Sequence, residues 1–199
     1  MTRTVGIVLF PNVEELDFVG PLEALGAMAF IDRGWQVVTI AEAGGSVRAR
    51  HGLSVNVDHS FADAPPLDVL LVPGGQGTRQ EVDNPRMIDF VREAGANAQY
   101  VTSVCTGAFI LHRAGFLSGR RATTHWGAIG QLRELGDVEV VDDERFVQDG
   151  NVITAAGVSA GIDMALYLAS RLTDRQTAQN VQKLMEYYPQ PPSLEEVPA

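Results

Sequence analysis

Short apolar runs rich in β-branched residues alternate along the chain with longer runs that have helical periodicity. The apolar runs predict strands of a buried sheet, because parallel strands covered on both faces are apolar throughout. They lie at residues 4–10, 35–41, 68–72, 100–104 and 151–155, with weaker strands at 46–50, 53–57, 121–124, 138–141 and 145–148. The alternation predicts an α/β fold with a mainly parallel central sheet and helices on both faces.

The ends of the helices are marked by proline, glycine and capping residues. Pro21 predicts that the first helix either starts near that residue or is kinked there. Asn84 and Pro85 open a helix that runs to about residue 97, and Gly115 ends the helix that begins near residue 108. The remaining helices are predicted at 128–135, at 160–172 with Ser159 as a cap, and at 174–187 with Thr173 or Asp174 as a cap.

Composition and charge narrow the classes of protein that fit this pattern. The 199 residues, 45% hydrophobic and 20% charged, predict one domain over 1–199, with a proline-rich tail at 189–199. A net charge of −10 argues against nucleic acids and anionic membrane surfaces as partners. We find no run long enough to span a membrane and no signal segment. A single cysteine allows no intrachain disulfide, and it fits a reducing, cytoplasmic compartment.

That cysteine, Cys105, lies between a predicted strand and a predicted helix. Thr106 and Gly107 follow it directly, so the chain turns tightly where the strand ends. A lone cysteine is more often a small buried residue than a nucleophile. At the carboxyl end of a strand in an open α/β sheet, however, it lies where ligands bind. The following helix N-terminus is expected to favour the thiolate, so Cys105 is our candidate nucleophile.

Two other strand ends carry candidate chemistry. Asp17 follows the first strand, and Gly74 and Gly75 follow the strand at 68–72. Carboxyl ends of parallel strands lie along one edge of a sheet, so a carboxyl group, two backbone N–H donors and a thiol are expected to share a crevice. We assign Cys105, Asp17 and Thr106 as catalytic candidates, with Glu14 and Glu15 as alternatives to Asp17, and the Gly74 and Gly75 amides as donors to developing charge.

Several motifs spread over essentially the whole chain resemble the ThiJ/PfpI superfamily. They are G-I-V-L-F-P with E-E-L-D (6–17), V-P-G-G (72–75), V-C-T-G-A-F (104–109), A-G-F-L-S-G-R-R-A-T-T-H-W (114–126) and A-G-V-S-A-G-I-D (156–163). The Cys-Thr pair and the fourth motif are similar to the branch shared by isocyanide hydratases and sensor domains of AraC-type regulators. The ending M-E-Y-Y-P-Q-P-P (185–192) resembles isocyanide hydratases in particular.

This resemblance implies a flavodoxin-like three-layer sandwich, a homodimer, a nucleophilic Cys105 and an acidic partner, Asp17, bonded to its sulfur. Many members have histidine after the cysteine, whereas this chain has Thr106, as isocyanide hydratases do. The implied reaction converts a small-molecule isocyanide and water to an N-substituted formamide through a cysteine thioimidate, without a cofactor or metal. A carboxyl group buried beside the sulfur is expected to have a raised pKa and to titrate with it as a pair.

Other functions use a similar cysteine. A class I glutamine amidotransferase needs a downstream His-x-Glu, which neither His112 nor His125 provides. A glyoxalase or deglycase-like enzyme would use the same cysteine, with His125 as a secondary candidate. A non-enzymatic ligand or redox sensor is the third alternative, although AraC-type regulators carry a helix-turn-helix region that we do not find after residue 188.

Aromatic and histidine residues outside this group are given structural roles. Trp35 is expected in the core, and Trp126, which adjoins His125, is expected in the core in preference to the wall of a pocket. His51 and His59 are expected on surface loops without a cluster of metal ligands. The last helix and the tail are expected either to contact a partner subunit or to fray.

Overall fold

A seven-stranded sheet forms the centre of the computed structural model, which describes residues 2–189. The strands are β1 (Arg3–Val8), β2 (Trp35–Ala41), β3 (Ser46–Arg48), β4 (Ser54–Asn56), β5 (His59–Ser60), β6 (Val69–Val72), β7 (Tyr100–Val104), β8 (Arg121–Ala122), β9 (Glu139–Val140), β10 (Phe146–Asp149) and β11 (Val152–Ala155). The helices are α1 (Glu15–Ile31), α2 (Thr78–Glu81), α3 (Pro85–Asn97), α4 (Gly107–Arg113), α5 (Ile129–Glu134), α6 (Ala160–Leu172) and α7 (Arg175–Leu184).

The order of strands in the main sheet is β10-β11-β7-β6-β1-β2-β5, and only the β10–β11 pair is antiparallel. The chain first adds β2 on one side of β1 and later places β6 on the other side. The strand order therefore reverses between β1 and β6. Ligands of open α/β sheets bind in the crevice outside the carboxyl ends of the strands at such a point.

Helices cover both faces of the sheet and make its central strands fully buried. Every residue of β6 and β7 is buried, and so is every residue of β1 after Arg3. Helices α1, α6 and α7 pack together, whereas α4 packs with α2 and α3. This is the flavodoxin-like three-layer α/β sandwich with a mainly parallel sheet that the sequence predicts.

The first helix does not start at Pro21, which was one of the two alternatives predicted, because α1 begins at Glu15 and continues through Pro21. A proline inside a helix costs about 3 kcal/mol, so tertiary packing must compensate. Packing against α6 is close here: a side chain at Gly20 would meet Ile162 at 2.8 Å, and one at Gly161 would meet Pro21 at 3.3 Å. As a consequence, Asp17 lies within the first turn of α1.

Most other helix boundaries agree with the prediction. Helix α3 is capped by Asn84, whose side chain accepts a hydrogen bond from the backbone N–H of Arg86 at 3.1 Å. The Asp174 carboxylate caps α7, but this helix ends at Leu184, three residues earlier than predicted. Ser159 precedes α6 as expected, but its side chain makes no capping hydrogen bond.

The prediction for Trp126 is wrong, whereas that for Trp35 is confirmed. Trp35 is 3% exposed, but Trp126 is 82% exposed. Strand β8 ends at Ala122, and Trp126 begins a short 3-10 helix in which Ala128 is buried. The tryptophan therefore lies outside the core, a placement that its apolar ring alone did not indicate.

The predicted tail lies outside the described residues, except for Pro189. Among the helices of residues 2–189, we find none with both the length and the apolar character needed to cross a bilayer.

Candidate active site

Cys105 occupies a strained turn between β7 and α4. Its φ angle is 57°, in the left-handed region that non-glycine residues seldom adopt. Its N–H donates to the carbonyl oxygens of Ala155 and Ala156 at 3.1 and 2.7 Å, and its own carbonyl accepts from the Thr124 hydroxyl at 2.8 Å. Hydrogen bonds on both sides of the residue thus hold the turn that the sequence predicts.

Glycine allows the neighbouring strand end to approach this turn. A side chain at Gly107 would lie 2.1 Å from the carbonyl oxygen of Val72, and one at Gly74 would lie 2.8 Å from Cβ of Cys105. Both distances are shorter than any normal contact. The V-P-G-G and C-T-G motifs therefore fit together through positions where no side chain has room.

Asp17 is the carboxyl group that the fold brings to the sulfur. It is fully buried, and its Oδ2 accepts a hydrogen bond from the Gly74 N–H at 2.9 Å. Its Oδ1 has no partner of normal hydrogen-bond geometry among the described residues, although the Cys105 thiol and the Val158 N–H make weaker contacts with the carboxyl group. Burial, assisted by the negative charge of Glu14 and opposed by the hydrogen bond from the Gly74 N–H, raises the pKa of Asp17 to about 7.

The Cys105 thiol is less acidic than predicted. The residue is only 7% exposed, and burial, followed by the negative charge of Asp17, raises its pKa to about 12. The N–H and hydroxyl of Thr106 lower this pKa, but they do not outweigh burial. The helix N-terminus therefore acts in the expected direction, but burial outweighs it and the resting site holds a neutral thiol. Between the two pKa values, one proton is held by the Asp17–Cys105 pair.

The amides of Gly74 and Gly75 serve different partners from those predicted. The Gly74 N–H donates to Asp17, and the Gly75 N–H donates to Oγ1 of Thr106 at 3.0 Å. Both donors are thus engaged within the protein. In this arrangement they position the carboxyl group and the threonine, and the donors that reach the sulfur come from Thr106.

His125 is not joined to this group by a hydrogen bond among the described residues. Its Nδ1 accepts from the backbone N–H of Gly127 at 3.2 Å. Its ring packs against Gly157, where a side chain would meet Cδ2 of the ring at 2.5 Å. These contacts are those of a structural residue.

Sequence reasoning named Glu14 and Glu15 only as alternatives to Asp17, and it missed their contacts with Arg50 and His51. Glu14 pairs with Arg50 at 2.7 Å and with Nε2 of His51 at 3.2 Å, while the His51 N–H donates to Glu15 at 2.6 Å. Ligand atoms of Glu14, Glu15 and His51 all lie within 4.8 Å of one another, so the expectation of no cluster near His51 is wrong. Because the Arg50 guanidinium already pairs with Glu14, we do not assign a metal to this cluster.

Thr78 is a second residue that the sequence did not single out. Its hydroxyl lies 3.0 Å from that of Thr106. The two threonines also line a cavity of about 430 Å³, whose wall includes Phe109 and Leu135. The only local signal was the position of Thr78 three residues after Gly75, at the start of α2.

The fold and the site together define an α/β protein with a thiol–carboxyl site. Its cysteine is strained, its carboxyl partner is fully buried, and both lie where the strand order reverses. The chain belongs to the DJ-1/PfpI family, whose sequence pattern matches residues 3–171.

Individual relatives cover nearly the whole chain. It is 43% identical over 192 residues to the isonitrile hydratase of Pseudomonas putida, a match that covers 96% of this chain and 82% of that protein. It is 32% identical to the HTH-type transcriptional regulator CdhR of Pseudomonas aeruginosa, over 91% of this chain but 54% of the regulator. The crystal structure of a ThiJ/PfpI family protein from Pseudomonas syringae superimposes with a TM-score of 0.90 at 33% identity, over 99% of this chain and 80% of that one.

Proposed function

We propose that the protein is an isocyanide hydratase that converts R–N≡C and water to the formamide R–NH–CHO. The observation that carries the proposal is the buried Asp17 carboxyl group beside Cys105, with its pKa raised to about 7. A group with this pKa can both accept and release a proton at neutral pH. The similarity to an isonitrile hydratase over 96% of the chain supports the same reaction.

In the first step, the Cys105 sulfur forms a bond to the isocyanide carbon while Asp17 takes the thiol proton. The electron pair that remains on this carbon then accepts the proton from Asp17, which gives the thioimidate R–N=CH–S. Transfer of the proton during attack means that the thiol need not ionise beforehand. The high pKa of the Cys105 thiol is therefore compatible with its role as the nucleophile.

In the second step, the oxygen of water bonds to the carbon of the C=N bond, one water proton goes to nitrogen and the other goes to Asp17. The tetrahedral alkoxide then breaks its C–S bond, which releases the formamide and the Cys105 thiolate, and the proton on Asp17 leaves the pair with one proton, as at the start. The Thr106 N–H and hydroxyl, which contact the sulfur, stabilise the departing thiolate. The reaction uses only these side chains and water, and it requires no cofactor.

The experiment measures formation of the formamide from an aryl isocyanide by chromatography. We expect Cys105→Ala to abolish turnover and Asp17→Asn to reduce it by about 10²- to 10⁴-fold, the usual contribution of a general acid–base group. Glu23→Gln is the matched control, because Glu23 is an exposed carboxylate on the same helix. Full activity of Cys105→Ala would refute the proposal.

Two further arms test the alternative functions. Methylglyoxal turnover without isocyanide turnover would identify a glyoxalase or deglycase-like enzyme. A sensor would turn over neither compound, and mild peroxide would convert Cys105 to an oxidised form that changes partner binding. Burial and the raised pKa of the thiol argue against ready oxidation, because the thiolate is the reactive form.

A further inference from the structure

Two buried hydroxyl groups form a chain that ends at the candidate nucleophile. Oγ1 of Thr78 lies 2.7 Å from the Gly75 carbonyl oxygen and 3.0 Å from Oγ1 of Thr106. Oγ1 of Thr106 in turn accepts from the Gly75 N–H at 3.0 Å, and it lies close enough to the Cys105 sulfur to lower the pKa of the thiol. The proposed reaction gives no role to Thr78, although its hydroxyl is as buried as that of Thr106.

The two hydroxyls can bond to each other in two ways. Each hydroxyl has one proton and two lone pairs, and the Gly75 N–H uses one lone pair of Thr106. In the first arrangement, Thr78 donates to the Gly75 carbonyl and Thr106 donates to Thr78. In the second, Thr78 donates to Thr106. The Thr106 proton then has two possible acceptors, the Cys105 sulfur and the Gly75 carbonyl oxygen, which lies 3.3 Å from Oγ1 of Thr106.

The first arrangement suits a neutral thiol and the second suits a thiolate. Of the two acceptors left in the second arrangement, a negatively charged sulfur is the stronger, because hydrogen bonds to ions are about twice as strong as neutral ones. Losing the Thr78 proton does not leave the Gly75 carbonyl without a donor, since Arg79 also donates to it at 3.1 Å. The chain can therefore reverse without creating a buried unsatisfied group.

We propose that the Thr78 hydroxyl is a positioning group, which turns the proton of the Thr106 hydroxyl toward the Cys105 sulfur when that sulfur is negatively charged. It acts through Thr106, because donation from Thr78 polarises the second hydroxyl and strengthens its bond to sulfur. The other charged groups that influence the sulfur are Asp17 and, at longer range, Arg50. The proposal rests on the proposed role of Cys105 as nucleophile and extends the site by one residue.

The test measures alkylation of Cys105, the only cysteine, by iodoacetamide between pH 7 and 10. In this range the rate follows the thiolate fraction, so a vertical displacement of the logarithmic pH profile measures the change in thiol pKa. We expect Thr78→Val to slow alkylation about tenfold at every pH in the range where the rate rises with slope one. Thr78→Ser, which keeps the hydroxyl, should stay within about threefold of the parent protein.

Controls separate this effect from changes in packing or access. Thr102→Val is the matched control, because the hydroxyl of this buried threonine donates only to the Leu70 carbonyl, at 3.0 Å. It should alkylate at the parent rate. The rate of reaction with a second neutral reagent, methyl methanethiolsulfonate, is measured as well. Thr78→Val must lower this rate by the same factor as the iodoacetamide rate, because both reagents react with the same thiolate.

Three results would overturn the proposal: unchanged alkylation of Thr78→Val, unequal slowing of the two reagents, or failure of Thr78→Ser to restore the rate. If Thr78→Val does not melt cooperatively, the comparison of Thr78→Ala with Thr78→Ser replaces it. Neither reagent is an isocyanide, so this outcome is readable even if the protein does not hydrate isocyanides.

Discussion

Replacing Asp17 by asparagine should change how the stability of the protein depends on pH. Asparagine has nearly the same shape but cannot ionise, whereas the buried Asp17 carboxyl has its pKa raised from 3.8 to about 7. A raised pKa in the folded state means that the folded protein holds this proton between about pH 4 and 7 while the unfolded chain has lost it. The contribution of Asp17 to stability is therefore fully present below pH 3.8 and is lost as the pH rises through about 7.

The size of this effect follows from the two pKa values. At about 1.4 kcal/mol for each tenfold change in proton affinity, the rise from 3.8 to about 7 corresponds to about 4 kcal/mol. Solvent screening reduces this free energy only slightly, because Asp17 is fully buried. The free energy of unfolding of Asp17→Asn minus that of the parent protein should therefore increase by about 4 kcal/mol between pH 4 and pH 8.

Urea unfolding at fixed protein concentration, repeated across this pH range, measures the difference. Only the change with pH matters, so a constant cost of losing the Gly74 hydrogen bond does not affect the result. Glu23→Gln is again the control, and its difference from the parent protein should not vary with pH. A difference for Asp17→Asn that is flat from pH 4 to 8 would refute the argument that burial raises this pKa.

The remaining predictions concern activity, glycine, tryptophan and assembly. The kcat/KM of isocyanide hydration should rise with pH up to about 7, where the Asp17–Cys105 pair loses its first proton, and then level off; a decrease through this range would contradict the proton assignment. Gly74→Ala should abolish formamide release, because its methyl group would lie 2.6 Å from the Thr106 nitrogen, whereas Gly26→Ala, with open space in α1, should stabilise by about 0.5–1 kcal/mol in urea unfolding. Trp35→Ala should cost about 3–5 kcal/mol and Trp126→Ala less than about 0.5 kcal/mol, as measured by thermal melting. Light scattering should give twice the chain mass, as expected for a homodimer.

Local sequence signals predicted the elbow and its acidic partner because each depends on neighbours along the chain. An apolar run followed by Cys105, Thr106 and Gly107 can only turn sharply, and the first strand brings Asp17 to the same edge of the sheet. Thr78 and the Glu14–His51 contact could not be found in this way. The residues of that contact are 37 positions apart, and they meet because the segment after β1 bonds to the chain at the end of β3, through Asn12 to Arg48 at 3.0 Å and Arg50 to Val13 at 2.9 Å.

By itself, the sequence determined the α/β class, the order of most elements and the position of the cysteine, since these follow from hydrophobic periodicity and from glycine at fixed offsets. Only the tertiary structure decided the protonation of the thiol and the size of the pKa shift at Asp17, whose direction was already expected. Burial of Cys105 outweighs the helix N-terminus and raises the thiol pKa, and the desolvated Asp17 acquires a pKa near neutrality. Desolvation depends on every atom packed around a group, and no short motif encodes that sum. The same reason explains Pro21, whose packing against α6 keeps it within a helix that its own conformational preference disfavours.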